Sequence, residues 1–172
     1  MNKDQIARVV ALLNSPELDE GVIAEIASLG DDGRRFLVEA ASGSQFPVYV
    51  RQRAIAALGL LGWPDAAQSL VRLLQNPALR PHAIYALEGI KGAEVVKDLL
   101  PLLQSNEADH NARVHALEVI GHVPDQQAAT ELEYWVERER DPLLRAIGER
   151  ALMRLRRRGV LPKPPRQPST PR

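Results

Sequence analysis

The chain has 172 residues, 45% of them hydrophobic but only 4% aromatic, and it contains no cysteine. A core of Leu, Ile, Val and Ala is therefore expected, and disulfides, thiolate metal sites and cysteine nucleophiles are excluded. The formal charge is zero, but all 22 acidic residues and 15 basic ones lie in residues 1–150, which leaves seven basic residues and no acid in 151–172.

No apolar run reaches the roughly 18 residues that a membrane-spanning helix needs. The opening "MNKDQIARVV" places an acid and an amide where a signal peptide would be apolar. The absence of cysteine fits a reducing compartment, and a cytoplasmic protein is expected.

Apolar residues spaced three and four apart predict ten helices, over residues 3–13, 17–29, 33–42, 48–61, 65–75, 79–90, 93–104, 109–121, 126–139 and 142–157. In chain order, Ser15-Pro16 pairs a cap residue with a first-turn proline ahead of the second helix. "VRQRAIAALGLLG" fills the fourth helix. Asp65, with Gln68 three residues on, offers a capping box for the fifth, and Asn76-Pro77 precedes the sixth. Pro101 lies inside the seventh, removes a donor to the Lys97 carbonyl and should bend it. Asp125 is a cap candidate for the ninth helix, Asp141-Pro142 for the tenth, and Gly159 ends the last. No window reads as a strand.

The fourth helix repeats. "LRPHAIYALEGIK" at Leu79–Lys91 and "ARVHALEVIGHVP" at Ala112–Pro124 align with it on Ala54, Ala83 and Ala116. A fourth copy is anchored at Ala151, and a weaker one lies in "VIAEIASLG", so the later steps are 29, 33 and 35 residues. Between these phrases a second helical segment also recurs: "DAAQSLVRLLQ" at Asp65–Gln75 matches "EVVKDLLPLLQ" at Glu94–Gln104. Each unit is a helical hairpin that cannot bury both apolar faces alone, and stacking such units buries them against one another.

"VRQRAIAALGLLG", with its Val-Arg pair, the Ala three residues after the Arg, Ala-Leu-Gly and a closing Leu-Gly, resembles the HEAT-repeat family, and most of all its short, phycobilisome-lyase-like variety. The resemblance covers residues 17–158 and implies an all-α fold, a right-handed solenoid of about five helical pairs. Residues 1–158 are then the solenoid domain and residues 159–172 a disordered Pro-rich basic tail. The family includes scaffolds, adaptors, lyases and DNA-repair proteins, so the resemblance specifies fold rather than activity. Gly148 stands where the fourth copy should carry the family's Arg, which marks an atypical end unit.

Candidate functional residues follow from the stacking. Arg51, Arg80 and Arg113 form one column, and Arg53, His82, His115 and Arg150 form another. Their expected role is structural, bonding carbonyls and acids in neighbouring turns; the alternative is an anion-binding strip. The second helices expose the columns Arg35, Gln68, Lys97, Thr130 and Glu39, Arg72, Pro101, Tyr134, on the side that would be concave. Solenoids commonly bind on such a surface, and Arg35, Gln68, Arg72, Lys97, Tyr134 and Arg138 are the partner-binding candidates. His110, His115 and His122 are spaced five and seven apart, not i,i+4, so no metal ligation is expected from them. No phosphate loop, nucleophile elbow or zincin motif occurs, and Trp63 and Trp135 are expected in the core.

The tail, "LPKPPRQPSTPR", places Pro162, Pro165 and Pro168 at PxxP spacing beside Lys163 and Arg166. Its expected state is a solvated end, and the alternative is a docking peptide for a proline-reading domain or an acidic surface. These observations favour a non-enzymatic scaffold or adaptor that binds a protein partner on the concave face, with no cofactor, no metal, no catalytic residue and no membrane. The oligomeric state is left open. Two alternatives stand beside it. One is a lyase-like or chromophore-handling enzyme. The other is a nucleic-acid binder acting through the basic columns and tail, which the acidic body disfavours.

Overall fold

A computed structural model describes residues 2–90, 93–105 and 108–161. It contains ten α-helices: α1 (Lys3–Leu13), α2 (Glu20–Ser28), α3 (Gly30–Ser42), α4 (Val48–Leu61), α5 (Ala67–Leu73), α6 (Arg80–Gly89), α7 (Ala93–Gln104), α8 (His110–Ile120), α9 (Gln126–Arg138) and α10 (Pro142–Arg157). A single 3₁₀ turn at Pro64–Ala66 leads into α5. No strand occurs among the described residues, and no helix there is long and apolar enough to cross a membrane. The expected tail lies, from residue 162 onward, outside the described residues.

The helices form two layers. One layer runs α2, α4, α6, α8, α10 and the other α3, α5, α7, α9; each helix touches the next in its own layer, and across the layers α2 meets α3, α3 meets α4, α5 meets α6, α7 meets α8 and α9 meets α10. The helix α1 covers the first end against α2 and α4. Residues one repeat apart are thus spatial neighbours, and the fold is an all-α solenoid. The core between the layers is aliphatic: Ala54, Leu58, Leu70, Leu74, Ala83, Leu87, Leu99, Leu103, Ala116, Leu117, Leu132, Ala151 and Leu155 are fully buried. Among the described residues no polar or charged residue is buried as a whole, so the core of the stack rests on apolar contact.

Small residues set the spacing between units. A Cβ built on Gly59 of α4 would lie 2.5 Å from the Cα of Ala86 on α6, so the two helices meet backbone to backbone there. Gly148 answers a different need. Its Cβ would lie 2.5 Å from Cγ2 of Val136 and 3.3 Å from Cζ3 of Trp135, so no Arg fits at this position in the last unit.

The caps divide into two groups. Asp125 accepts from the Ala128 N–H at 2.7 Å, and Asp141 accepts from Leu143 and Leu144 at 2.8 and 3.0 Å, with Pro142 in the first turn. Ser15 and Asp65 do not cap. The Ser15 hydroxyl donates back to the Leu12 carbonyl at the end of α1, so α2 begins only at Glu20, capped by Asp19. Asp65 instead accepts from the Arg34 guanidinium at 2.8 Å, and no capping box with Gln68 forms. Asn76 closes a turn onto the Ala78 N–H, and α6 starts at Arg80 with Pro81 in its first turn. The helix α7 runs through Pro101, which faces outward, and the left-handed Gly159 (φ 78°) follows α10 as expected.

Candidate partner-binding face

The layer formed by α3, α5, α7 and α9 presents every residue nominated for partner binding. Arg35 lies on α3, Gln68 and Arg72 on α5, Lys97 on α7, and Tyr134 and Arg138 on α9, and all six are exposed. They do not converge on a single point. Arg35 is paired with Asp32 at 2.8 Å and lines a shallow depression with Ile6, Phe36 and Glu39 at the first end. Gln68 and Arg72 lie in the middle of the face. Tyr134 and Arg138 belong to a distinct feature at the other end.

That feature is a trough between α7 and α9, with a volume of about 640 Å³. Leu100 and Gln104 form one wall, and Thr130, Tyr134, Trp135 and Arg138 the other. It continues toward the start of α9, past Val96, Lys97, Ala128 and Asp125, and the two stretches share Leu100 and Glu131. The floor is apolar and the rim is polar, the usual combination for a binding groove. Tyr134, 61% exposed, stands on the wall of this trough beside the apolar floor.

The rim is ordered in advance. The Arg138 guanidinium carbon lies 3.2 Å from the Tyr134 ring centroid, and Arg138 Nη1 donates to the Tyr134 carbonyl at 3.0 Å. A stacked cation of this kind is worth about 0.5–1 kcal/mol at an exposed site. It also fixes ring and guanidinium as one flat platform. Trp135, half-buried, is held from the other side by Arg113, whose guanidinium lies 5.9 Å from the indole centroid. Trp135 is therefore a wall of the trough and not only a core residue. Leu100, Gln104, Glu131 and Trp135 escaped the sequence reading as site residues. The available signal was Tyr134 itself, the only Tyr of the exposed columns.

The column Arg51, Arg80 and Arg113 serves the stack. Arg51 donates through Nε to the Ala41 carbonyl at 3.1 Å. Arg80 donates through Nε to the Leu74 carbonyl at 2.6 Å and through Nη2 to Asp109 at 2.5 Å. Arg113 pairs with Glu139 at 2.6 Å. In the last unit, where Gly148 replaces the Arg, Arg145 donates to the Glu139 carbonyl through Nε at 2.9 Å and also through Nη2. The histidines are dispersed in the same way. His115 bonds Glu118 at 2.8 Å, the Nδ1 of His122 bonds the Glu118 carbonyl at 2.9 Å, and His110 lies 3.7 Å from Asp141. Among the described residues no group of three His, Asp or Glu could hold a metal ion. The Asp141 carboxyl is held below the ordinary carboxylate range, chiefly by the Leu144 N–H and further by that of Leu143, with His110 and Arg113 adding to the effect.

Two layers of stacked helical hairpins, with the turn arginines tying one unit to the next, define a short α-solenoid. The family model for HEAT repeats matches residues 74–153, and that for the PBS lyase HEAT-like repeat matches residues 50–76. Together they span more than half of the sequence, and the chain belongs to the HEAT-repeat proteins. HEAT repeats generally serve as protein-interaction scaffolds and are typically non-enzymatic. A search of curated proteins finds no match to the chain.

Proposed function

We propose that this chain is a non-enzymatic adaptor that receives a protein partner on the face formed by its second helices. The observation that carries the reading is the trough between α7 and α9, an apolar floor rimmed by the stacked Tyr134–Arg138 pair. Tyr and Arg are the residue types that most often anchor interfaces, and a pair already held together loses little freedom on binding. The rest of the face, Arg35, Gln68, Arg72 and Lys97, supplies polar complementarity across the neighbouring units. The partner segment that fits is extended and narrow, with small apolar side chains for the floor and polar groups for the rim. In a HEAT superhelix this face is the concave one, and a cytoplasmic adaptor is the corresponding cellular reading.

The nucleic-acid reading is weaker, because Arg51, Arg80 and Arg113 are committed to carbonyls and acids of the stack. Phosphate binding would have to draw them away from those bonds.

The test replaces Thr130 on the trough wall with a photo-crosslinking amino acid and identifies the products formed in cells by mass spectrometry. A specific adduct that is lost in Tyr134→Ala/Arg138→Ala, while far-UV circular dichroism stays unchanged, supports the reading. A partner captured equally by the wild type and by a variant altered at all six nominated residues refutes it.

A further inference from the structure

We propose that the chain's own proline-rich end, Pro162–Pro168, lies in the α7/α9 trough and competes there with the external partner. The inference takes the trough as the binding site of the proposed adaptor and adds its regulation.

Three observations point to this occupant. The first is where the described chain ends. After α10, Arg158 Nη1 donates to the His122 carbonyl at 2.7 Å, and Leu161 is buried. The chain therefore leaves the stack beside the turn that precedes α9, and the trough begins at that turn, with Asp125 and Ala128. Eleven further residues follow Leu161. An extended polyproline chain advances about 3.1 Å per residue, so they span roughly 30 Å, longer than α9 at about 1.5 Å per residue.

The second is chemistry. Segments with PxxP spacing bind grooves lined by aromatic side chains, because a proline-rich chain is already extended and its rings pack flat on aromatic faces. Pro165 and Pro168 have this spacing. Tyr134 and Trp135 are the aromatic side chains of the trough.

The third is charge in register. The segment carries Lys163 and Arg166 and no acid. Three extended steps separate them by about 9 Å. Asp125 and Glu131 on the trough are six helical residues apart, also about 9 Å. With Lys163 at Asp125 and Arg166 at Glu131, Pro168 comes to rest near Tyr134. Arg138, beyond that point, lies over the Tyr134 ring and 3.8 Å from Glu137.

The chain lacks cysteine, so two can be introduced cleanly. Gln104→Cys places one on the trough wall and Gln167→Cys one in the segment. Gln75→Cys with Gln167→Cys is the reference, since Gln75 and Gln104 are equivalent positions of adjacent units. Gln104 lies on α7 and Gln75 in the turn after α5, helices that pack about 10 Å apart, and a freely moving end reaches both. Disulfide formation in dilute full-length protein is followed on non-reducing gels. The expected result is an intramolecular bond at residue 104 formed at least about tenfold faster than at residue 75, as docking raises the local concentration. Lys163→Glu/Arg166→Glu and, separately, Tyr134→Ala should bring the two rates together.

Equal rates in the parent pairs overturn the inference. So does a bond that forms only between chains, which assigns the trough to the end of a second copy. An absent crosslink leaves partner capture by the adaptor face standing, and absent partner capture leaves the crosslink standing, so the two readings fail separately.

Discussion

Gly59→Ala tests whether α4 and α6 meet backbone to backbone. Gly59 has no left-handed conformation to protect, and on an isolated helix the new methyl would be favourable by about 1 kcal/mol. The stack opposes it. The added Cβ would lie 2.5 Å from Cα and 2.9 Å from Cβ of Ala86, whereas carbon atoms rest about 3.5–4.0 Å apart. Cα of Ala86 is backbone and cannot rotate aside, so the helices must separate by roughly 1 Å. Overpacking costs about 1–3 kcal/mol, and a clash with backbone that cannot rotate aside belongs to the upper half of that range, so after the propensity gain a net loss of about 1–2 kcal/mol remains. For a chain of this size that loss lowers Tm by about 2–8 °C. Gly21→Ala is the reference, because its Cβ would meet only Oδ1 of Asp19, at 3.3 Å; it should be neutral or slightly stabilising. Urea and thermal unfolding followed by far-UV circular dichroism reads both variants. If Gly59→Ala unfolds no earlier than the wild type, α4 and α6 are not in the contact described and the reasoning about unit spacing fails.

Three further outcomes are expected. Arg80→Met removes the bonds to the Leu74 carbonyl and Asp109 from a side chain only 12% exposed; it should cost about 1.5–3 kcal/mol in urea unfolding, while Arg35→Met stays within about 0.5 kcal/mol. Asp141→Ala should lower Tm at neutral pH by removing the cap on α10. Since the carboxyl is held below its ordinary value of 3.8, its contribution is full above that value and is lost as pH falls through the lowered pKa, so the gap in Tm should close in acid. Tyr134→Ala and Arg138→Ala should leave unfolding within about 0.5 kcal/mol of the wild type, and a larger loss would make the pair structural.

Much of the fold was legible because local signals agree with one another. The bounds of α4, α7 and α10 were read directly, α10 because Asp141 and Pro142 together fix where it can start. The misplaced starts share a cause. Ser15 and Asp65 have the chemistry of caps, but each finds a competing partner, the Leu12 carbonyl for Ser15 and the Arg34 guanidinium for Asp65. The first is a bond back to the preceding helix, which cap chemistry alone does not weigh against a forward cap, and the second comes from the neighbouring unit, which the local sequence does not show. The exposed columns were legible because a repeat converts sequence offset into spatial adjacency. The trough was not, because Leu100 and Trp135 are apolar residues on a buried stripe, and a stripe does not show where two neighbouring helices leave a gap.

The repeated and unrepeated positions divide the molecule's work. Ala54, Ala83, Ala116 and Ala151 are all fully buried at the same place in successive units, and the turn arginines recur because each unit presents the same turn to be tied down. Where Gly148 forbids the arginine, Arg145 reaches the Glu139 carbonyl from another position. The tie is what recurs, even when the position changes. A position that solves the same problem in every unit carries little information about a partner. The column Glu39, Arg72, Pro101, Tyr134 is the opposite case, an acid, a base, an imino acid and an aromatic at one geometric place. Stacking makes no demand there, so its chemistry is free to serve recognition. Its last member, Tyr134, lines the trough, and in a solenoid the place where the repeat is broken on an exposed face is where a partner's identity can be written.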